Sequence, residues 1–269
     1  MTKPTKFLAY TMLILCALVS VFPIAWMFIS STNTSADILS ARLLPGSNFS
    51  ANLATLFAGH DVGRAMFNSL RNSVVHTAVS LLVTSIAGYG FEVYHDKLKD
   101  RLMAVLLLAM MVPMTSIMIP LFKMFSGMKL LNTMVACILP TLSTPFFIMF
   151  FRSAARSFPH ELIDAARMDG LSELQIFLRI YMPSMKSTYG AAMTVIFMNS
   201  WNNYLWPRIA LITNDSLTMP LLISSLNANN LIDYGELMLA TSISTVPTII
   251  IFLFLQKSFQ NGLVGSVKG

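Results

Sequence analysis

Charge is scarce in this sequence. Of its 269 residues, 11% are Asp, Glu, Lys or Arg, where an ordinary soluble domain carries about 25%. With 55% apolar residues and a mean hydropathy of +0.67, the chain has lipid as a large part of its solvent. The formal charge of +6 is then a topology signal and not a nucleic-acid footprint. Cysteine is scarce too: Cys16 and Cys137 both fall in apolar runs, so neither a disulfide framework nor a thiolate metal site follows. There is no GxxxxGK[ST], so the chain does not cradle nucleotide phosphates through a P-loop, and HExxH, GxSxG and CxxC are missing as well. No catalytic residue, metal ligand set or bound cofactor is assigned, and the chain reads as a non-enzyme. There is also no 20–50-residue repeat and no low-complexity tail.

What is present is helical membrane sequence. Six uncharged runs, Phe7–Ile29, Asn72–Phe91, Leu102–Phe122, Leu130–Phe151, Ser187–Pro207 and Leu237–Gln256, are each about 20 residues long, enough to cross roughly 30 Å of hydrocarbon. They are too long for strands and lack period-two alternation. The first run is too long for a signal-peptide core and no clear cleavage site follows it, so it counts as the first span. With the N-terminus inside, 12 Lys and Arg fall on the cytoplasmic side and 6 outside, which sets both termini and the 157–187 segment in the cytoplasm. The expected fold is therefore all-α and integral to the membrane, with six transmembrane helices. It forms a single domain over 1–269, with a cytoplasmic loop at 157–187 and a cytoplasmic tail at 257–269.

The outer segments are polar. Residues 30–66 read as a surface loop with room for a short helix, and Met219–Leu226 is too short to span and suits the interface or a re-entrant turn. The twenty methionines fit as flexible packing material, with a Met-lined metal path as the alternative. Prolines at 113, 120, 140, 145, 207 and 247 either kink helices for packing or bend them around a gated path.

Residues 157–187 are the one long amphipathic, charged stretch. Ser157 suits an N-cap, Pro159 a first turn, and Glu161 and Asp164 the positive helix start. Leu162, Ile163 and Ala166 share a face, and Gly170 suits a left-handed cap. Ser172 and Gln175 have capping-box spacing, Leu174, Phe177, Leu178 and Tyr181 form a stripe, and Pro183 ends the second helix. Two short helices meet at a glycine bend.

Polar residues within the spans are few, and none is ionised: no run contains Asp, Glu, Lys or Arg, which argues against a proton relay or voltage sensor. His76 lies in the second run and is a candidate for the pathway or for a bond to a neighbouring helix. In the fifth run Asn199, Asn202, Asn203 and Trp206 fall at i, i+3, i+4 and i+7, one helical stripe. Amides beside an indole suit a hydroxyl-rich ligand. The alternative is an asparagine-bonded helix interface with Trp201, Tyr204 and Trp206 in an aromatic belt.

The elbow also carries a resemblance. Asp164-Ala165-Ala166, three residues, Gly170, nine residues, Ile180, one residue and Met182-Pro183 resemble the pattern EAA-x3-G-x9-I-x-LP of permease subunits of bacterial ABC importers, with Asp for Glu and Met for Leu. The runs NSLRNSVV, MMVPMTSIMIPLF, WNNYLWP and the closing QNGLVGSVKG resemble carbohydrate importers, specifically the maltose-type G-subunit family. The resemblance implies a multi-pass permease subunit in the bacterial inner membrane, moving an oligosaccharide, disaccharide or related polyol by alternating access. Its implied partners are a second, non-identical permease, a cytoplasmic ATPase dimer that holds the ATP and Mg, an extracytoplasmic solute-binding protein and membrane lipid. No nucleic acid is implied. Glu161, Asp164, Ala165, Ala166, Gly170, Ile180 and Pro183 are the implied ATPase-coupling residues, and the tail is a second implied contact. A permease for another solute is the alternative: glycerol phosphate falls within the group those runs resemble, whereas a permease for a polyamine, amino acid or anion shares the elbow but fits WNNYLWP and the tail less well. A stand-alone channel or a membrane scaffold leaves the elbow's spacing unexplained.

Overall fold

The computed structural model describes residues 3–228 and 231–267, with side chains at 6–228 and 231–256. The tail expected at 257–269 lies beyond the described side chains, and Asn229 and Asn230 fall outside the described residues. No strand occurs among the described residues. The helices run α1 Lys3–Ser30, α2 Ser35–Leu39, α3 Phe49–Gly59, α4 Val62–Val93, α5 Lys97–Ala109, α6 Met114–Gly127, α7 Met134–Ile138 and α8 Pro145–Arg156. They continue with α9 His160–Met168, α10 Glu173–Ile176, α11 Met182–Ser184, α12 Lys186–Trp201, α13 Pro207–Ala210, α14 Met219–Leu226 and α15 Tyr234–Val267.

Among the described residues, three helices are long and apolar enough to cross a membrane: α1 over Lys6–Ser30, α4, and α15 over Tyr234–Gln256. Two broken pairs bring the number to five, α5 with α6 bent by 96° and α7 (extended through Thr141) with α8 bent by 54°. The third and fourth runs are therefore not single straight helices. A proline sits at both breaks, and at the second it disfavours helical backbone in the residue before it. Pro113 caps α6 with its own ψ at 140°, and Thr144, just before Pro145, is extended with ψ 125°. The fifth run falls on α12, whose 16 residues rise about 24 Å, short of a full crossing.

The chain forms two compact units, Met1–Met66 with Met219–Pro247, and Phe67–Thr218 with Thr248–Gly269. In the first unit the expected loop is largely ordered into α2 and α3. Thr34 and Asp37 form a reciprocal capping box at the start of α2. Asn52, buried on α3, donates to the carbonyls of Ser31 and Asn33 at 2.9 and 3.0 Å, so one amide fixes the chain leaving α1. Met219–Leu226 is the helix α14, and Met219, Leu222 and Leu226 are buried with Leu56, Val62, Ala65, Leu239 and Ala240. It is core sequence.

In the second unit α4 is the central element. Nine of its polar residues, Asn68, Ser69, Asn72, Ser73, His76, Thr77, Ser80, Thr84 and Ser85, are buried. Leu81 packs with Phe147 and Phe151 of α8 and Ala192 and Ile196 of α12. Contact with α8 is closest at Gly88, where an added Cβ would lie 2.6 Å from Phe151 Cβ, 2.7 Å from Arg152 N and 2.8 Å from Ile148 O. Two of those three obstacles are backbone atoms and cannot swing aside. Gly88→Val is therefore expected to destabilise the fold by about 1–3 kcal/mol or more. The check is the thermal midpoint of purified protein in detergent, with Gly90→Val, which meets nothing within 4 Å, as the control.

Candidate functional site

The elbow is built from local chemistry. Pro159 starts α9, while Ser157 does not cap it: Ser157 closes α8, its Oγ donating to Ala154 O at 2.8 Å. At the other end Gly170 takes φ +81°, its N–H bonds Arg167 O, and the N–H of Leu171 bonds Ala166 O. This is the Schellman arrangement that glycine makes easy. Ser172 and Gln175 then form the expected capping box at the start of α10. Pro183 does not end the second helix. The turn over Phe177–Tyr181 widens to a π-helix in which Met182 N–H reaches Phe177 O, and α11 runs on through the proline. A widened turn relieves the clash between a proline ring and the preceding turn's carbonyl.

The apolar faces divide differently from the expectation. Ile163, Ala166, Ile176, Phe177 and Tyr181 are buried with Tyr89, Ala155 and Phe158, and Ile180 packs against that cluster. Leu162, Leu174 and Leu178 instead face outward, as does Met168 at 89% exposure. Among the expected coupling residues, Ala166 and Ile180 tie the elbow to the bundle. Glu161, Asp164, Ala165, Gly170 and Pro183 remain on its surface. Arg167 bonds Asp164 at 3.1 Å and Glu173 at 2.8 Å across the bend. The Arg167 hydrogen bond, followed by one from Tyr94, holds the Glu173 carboxyl below the usual carboxylate range.

A second charged group lies nearby and has no local sequence signature. Arg152, 6% exposed at its side chain, donates to Glu92 at 3.1 Å and to Asp100 at 2.6 Å, and Arg156 donates to Glu92 at 3.0 Å. Glu92 and Arg152 are 60 residues apart in sequence, so no spacing rule joins them. The end of α4 is thus held two ways. The Tyr89 ring meets Phe177 edge-on at 5.3 Å and Tyr181 at a tilt at 4.8 Å, and Glu92 binds the two arginines.

The proposed ligand stripe is only partly assembled. The helix stops at Trp201, so Asn202 caps it, donating its side-chain amide to Met198 O, and the i+7 relation to Trp206 is lost. Trp206 turns inward instead, 1% exposed, its Nε1 donating to Ala136 O at 2.7 Å and its ring 5.6 Å from Phe125. Neither Trp201 nor Trp206 forms a belt, since both are buried. His76, Asn199 and Asn203, however, line one cavity of about 270 Å³ with Thr141, Thr144, Ser200, Phe146, Phe147 and Ile196. His76 is 5% exposed; its Nε2 lies 3.3 Å from Thr141 Oγ1, and its Nδ1 is buried without a hydrogen-bond partner among the described residues. Thr141 and Thr144 were not expected; they sit at the break that Pro145 makes, which is the only sequence hint of them. No group of three or more His, Cys, Asp or Glu that could hold a metal occurs among the described residues.

Residues 80–264 match the sequence profile of the family described as binding-protein-dependent transport system inner membrane component. The chain is 46% identical over 259 residues to the lactose transport system permease protein LacG of Rhizobium radiobacter, covering 96% of this chain and 95% of that protein. It is 38% identical over 259 residues to the arabinooligosaccharides transport system permease protein AraQ of Bacillus subtilis, covering 94% and 92%. In fold it matches a chain of a bacterial ABC transporter involved in the import of the acidic polysaccharide alginate, with a TM-score of 0.82 over 96% of this chain and 98% of that one, at 19% identity.

Trp206→Phe keeps the ring beside Phe125 but removes the donor to Ala136 O. It is expected to lower stability by about 1–3 kcal/mol, the cost of a buried acceptor left unpaired. The thermal midpoint checks this, and a loss of transport at an unchanged midpoint would return Trp206 to the ligand path.

Proposed function

Because the chain belongs to the binding-protein-dependent transport system inner membrane component family, we propose that it is the permease subunit of an ATP-driven importer that carries a carbohydrate across the inner membrane. The observation that carries the sugar class is the 46% identity, over nearly the full length of both chains, to a lactose permease protein. The likeness to an arabinooligosaccharide permease supports the same class. The chain itself is non-catalytic, and it works with an ATPase and a solute-binding protein. A second, non-identical permease completes the path in this reading, and the ATPase acts as a dimer.

The elbow at 157–187 is the proposed docking element. Its outward surface combines Glu161 and Asp164 with the exposed Leu162, Met168, Leu174 and Leu178, an apolar patch with an acidic edge in a segment read as cytoplasmic. ATP closure of the partner would move the elbow, and the elbow's grip on the end of α4 would pass that motion into the membrane. Hydrolysis would reverse it, which is alternating access between two states.

Two tests follow. Lactose uptake in a strain lacking this chain's gene is expected to return when the complete importer is supplied, and no uptake of any neutral sugar would overturn the reading. Gly170→Val puts a β-branched residue at φ +81°, a strain of about 1–2 kcal/mol. It is expected to cut uptake at least tenfold, whereas Gly170→Asn, which tolerates that backbone, retains most of it. The measurement is uptake and ATPase stimulation in the reconstituted complex. Equal, wild-type coupling in both variants would sink the docking role.

A further inference from the structure

We propose that this chain itself contacts the transported molecule, and that the His76–Asn199–Asn203 cavity receives one uncharged sugar ring and rejects an anionic one. The proposal rests on the reading of the chain as a carbohydrate permease and adds which part of the ligand this subunit reads.

The donor set points to hydroxyls. Imidazole, two amides and the hydroxyls of Thr141, Thr144 and Ser200 line the cavity. Each of these groups presents both a donor and an acceptor, as a sugar hydroxyl does. An anion accepts only, and it would leave the acceptor half of every lining group without a partner. No Lys, Arg, Asp or Glu is in the lining. The arginine of α4 nearest His76 in sequence, Arg71, is engaged with Asn72 at 3.2 Å and lies 5.7 Å from the Phe67 ring centroid. A carboxylate or phosphate entering this cavity would be desolvated with no countercharge.

Size and shape narrow the ligand further. About 270 Å³ is just below the roughly 300–1,000 Å³ usual for small-molecule pockets, which leaves room for one ring and not for a chain of rings. Phe146 is half exposed, and Phe147 meets it edge to face at 5.1 Å. An exposed aromatic face suits the C–H face of a sugar ring. His76 is nine-tenths buried and brings its imidazole to the lining, with Nε2 3.3 Å from Thr141 Oγ1.

The test is site-directed labelling of the complete importer in lipid nanodiscs. Ser200→Cys in a Cys16→Ser background puts a thiol in the cavity while the native Cys137 stays buried. Saturating lactose is expected to slow maleimide labelling at least fivefold, and lactose oxidised to carry a carboxylate is expected to leave it unchanged at equal ionic strength. Asn203→Cys serves if the first variant fails to assemble. Asn199→Arg is expected to reverse the preference, a change that a packing role for Asn199 would not produce. If the wild-type complex accumulates lactose but lactose protects neither cysteine, the cavity assignment falls while the carbohydrate reading stands. Equal protection by the two sugars would overturn the selection against charge. If the wild-type complex takes up no neutral sugar, the carbohydrate reading falls first and the cavity assignment with it.

Discussion

A helix with nine buried polar residues cannot turn that face to hydrocarbon. In lipid, every donor and acceptor on α4 must be met by protein or by water held in protein. Under this constraint α4 lies against protein: α8 and α12 pack on it at Leu81 through Phe147, Phe151, Ala192 and Ile196, and Gly88 brings α4 and α8 to backbone contact. Small side chains make such an approach possible in membranes, where lipid is as apolar as leucine and dispersion and hydrogen bonding must hold helices together. The polar face also brings His76 to the cavity that Asn199 and Asn203 complete.

The same helix ends in the elbow's grip. Tyr89 and Glu92 occupy its last turns and are held by different elements: Tyr89 by Phe177 and Tyr181 of the elbow, Glu92 by the α8 arginines. A displacement of the elbow therefore meets α4 through aromatic packing, while ion pairs tie the same helix end to α8. His76 lies 13 residues N-terminal to Tyr89 on that helix, about 20 Å along its axis. One unbroken helix thus connects the end gripped by the elbow to the candidate cavity.

Local rules recover the caps of the elbow, and they fail where the period or the distance changes. The Gly170 bend and the Ser172–Gln175 capping box were legible because cap chemistry acts over three or four residues. Pro183 misled because proline's effect depends on whether the preceding turn can widen, and the Phe177–Tyr181 turn does. The stripe of Leu174, Phe177, Leu178 and Tyr181 divides, with Phe177 and Tyr181 buried and Leu174 and Leu178 exposed, and the π turn at Phe177–Tyr181 breaks the regular period. The Asn199–Trp206 stripe failed for a related reason, since its period assumed a helix that stops at Trp201. The α4 polar face was visible as a run of Ser, Thr and Asn, yet sequence alone does not say whether such a face meets water or protein. The Glu92–Arg152 pair, spanning 60 residues, had no local trace at all.

The elbow's two caps have a consequence for association. Both helix ends at the bend are closed by the chain's own atoms, Gly170 and Leu171 by the carbonyls of Arg167 and Ala166, Ser172 and Gln175 by each other. The segment has therefore already lost its conformational entropy on folding, so binding need not offset the ordering of a flexible loop. Contact free energy at its surface goes into affinity. In the proposed docking role, a weak patch of a few leucines, a methionine and two carboxylates is then enough for a partner that grips and releases with every cycle.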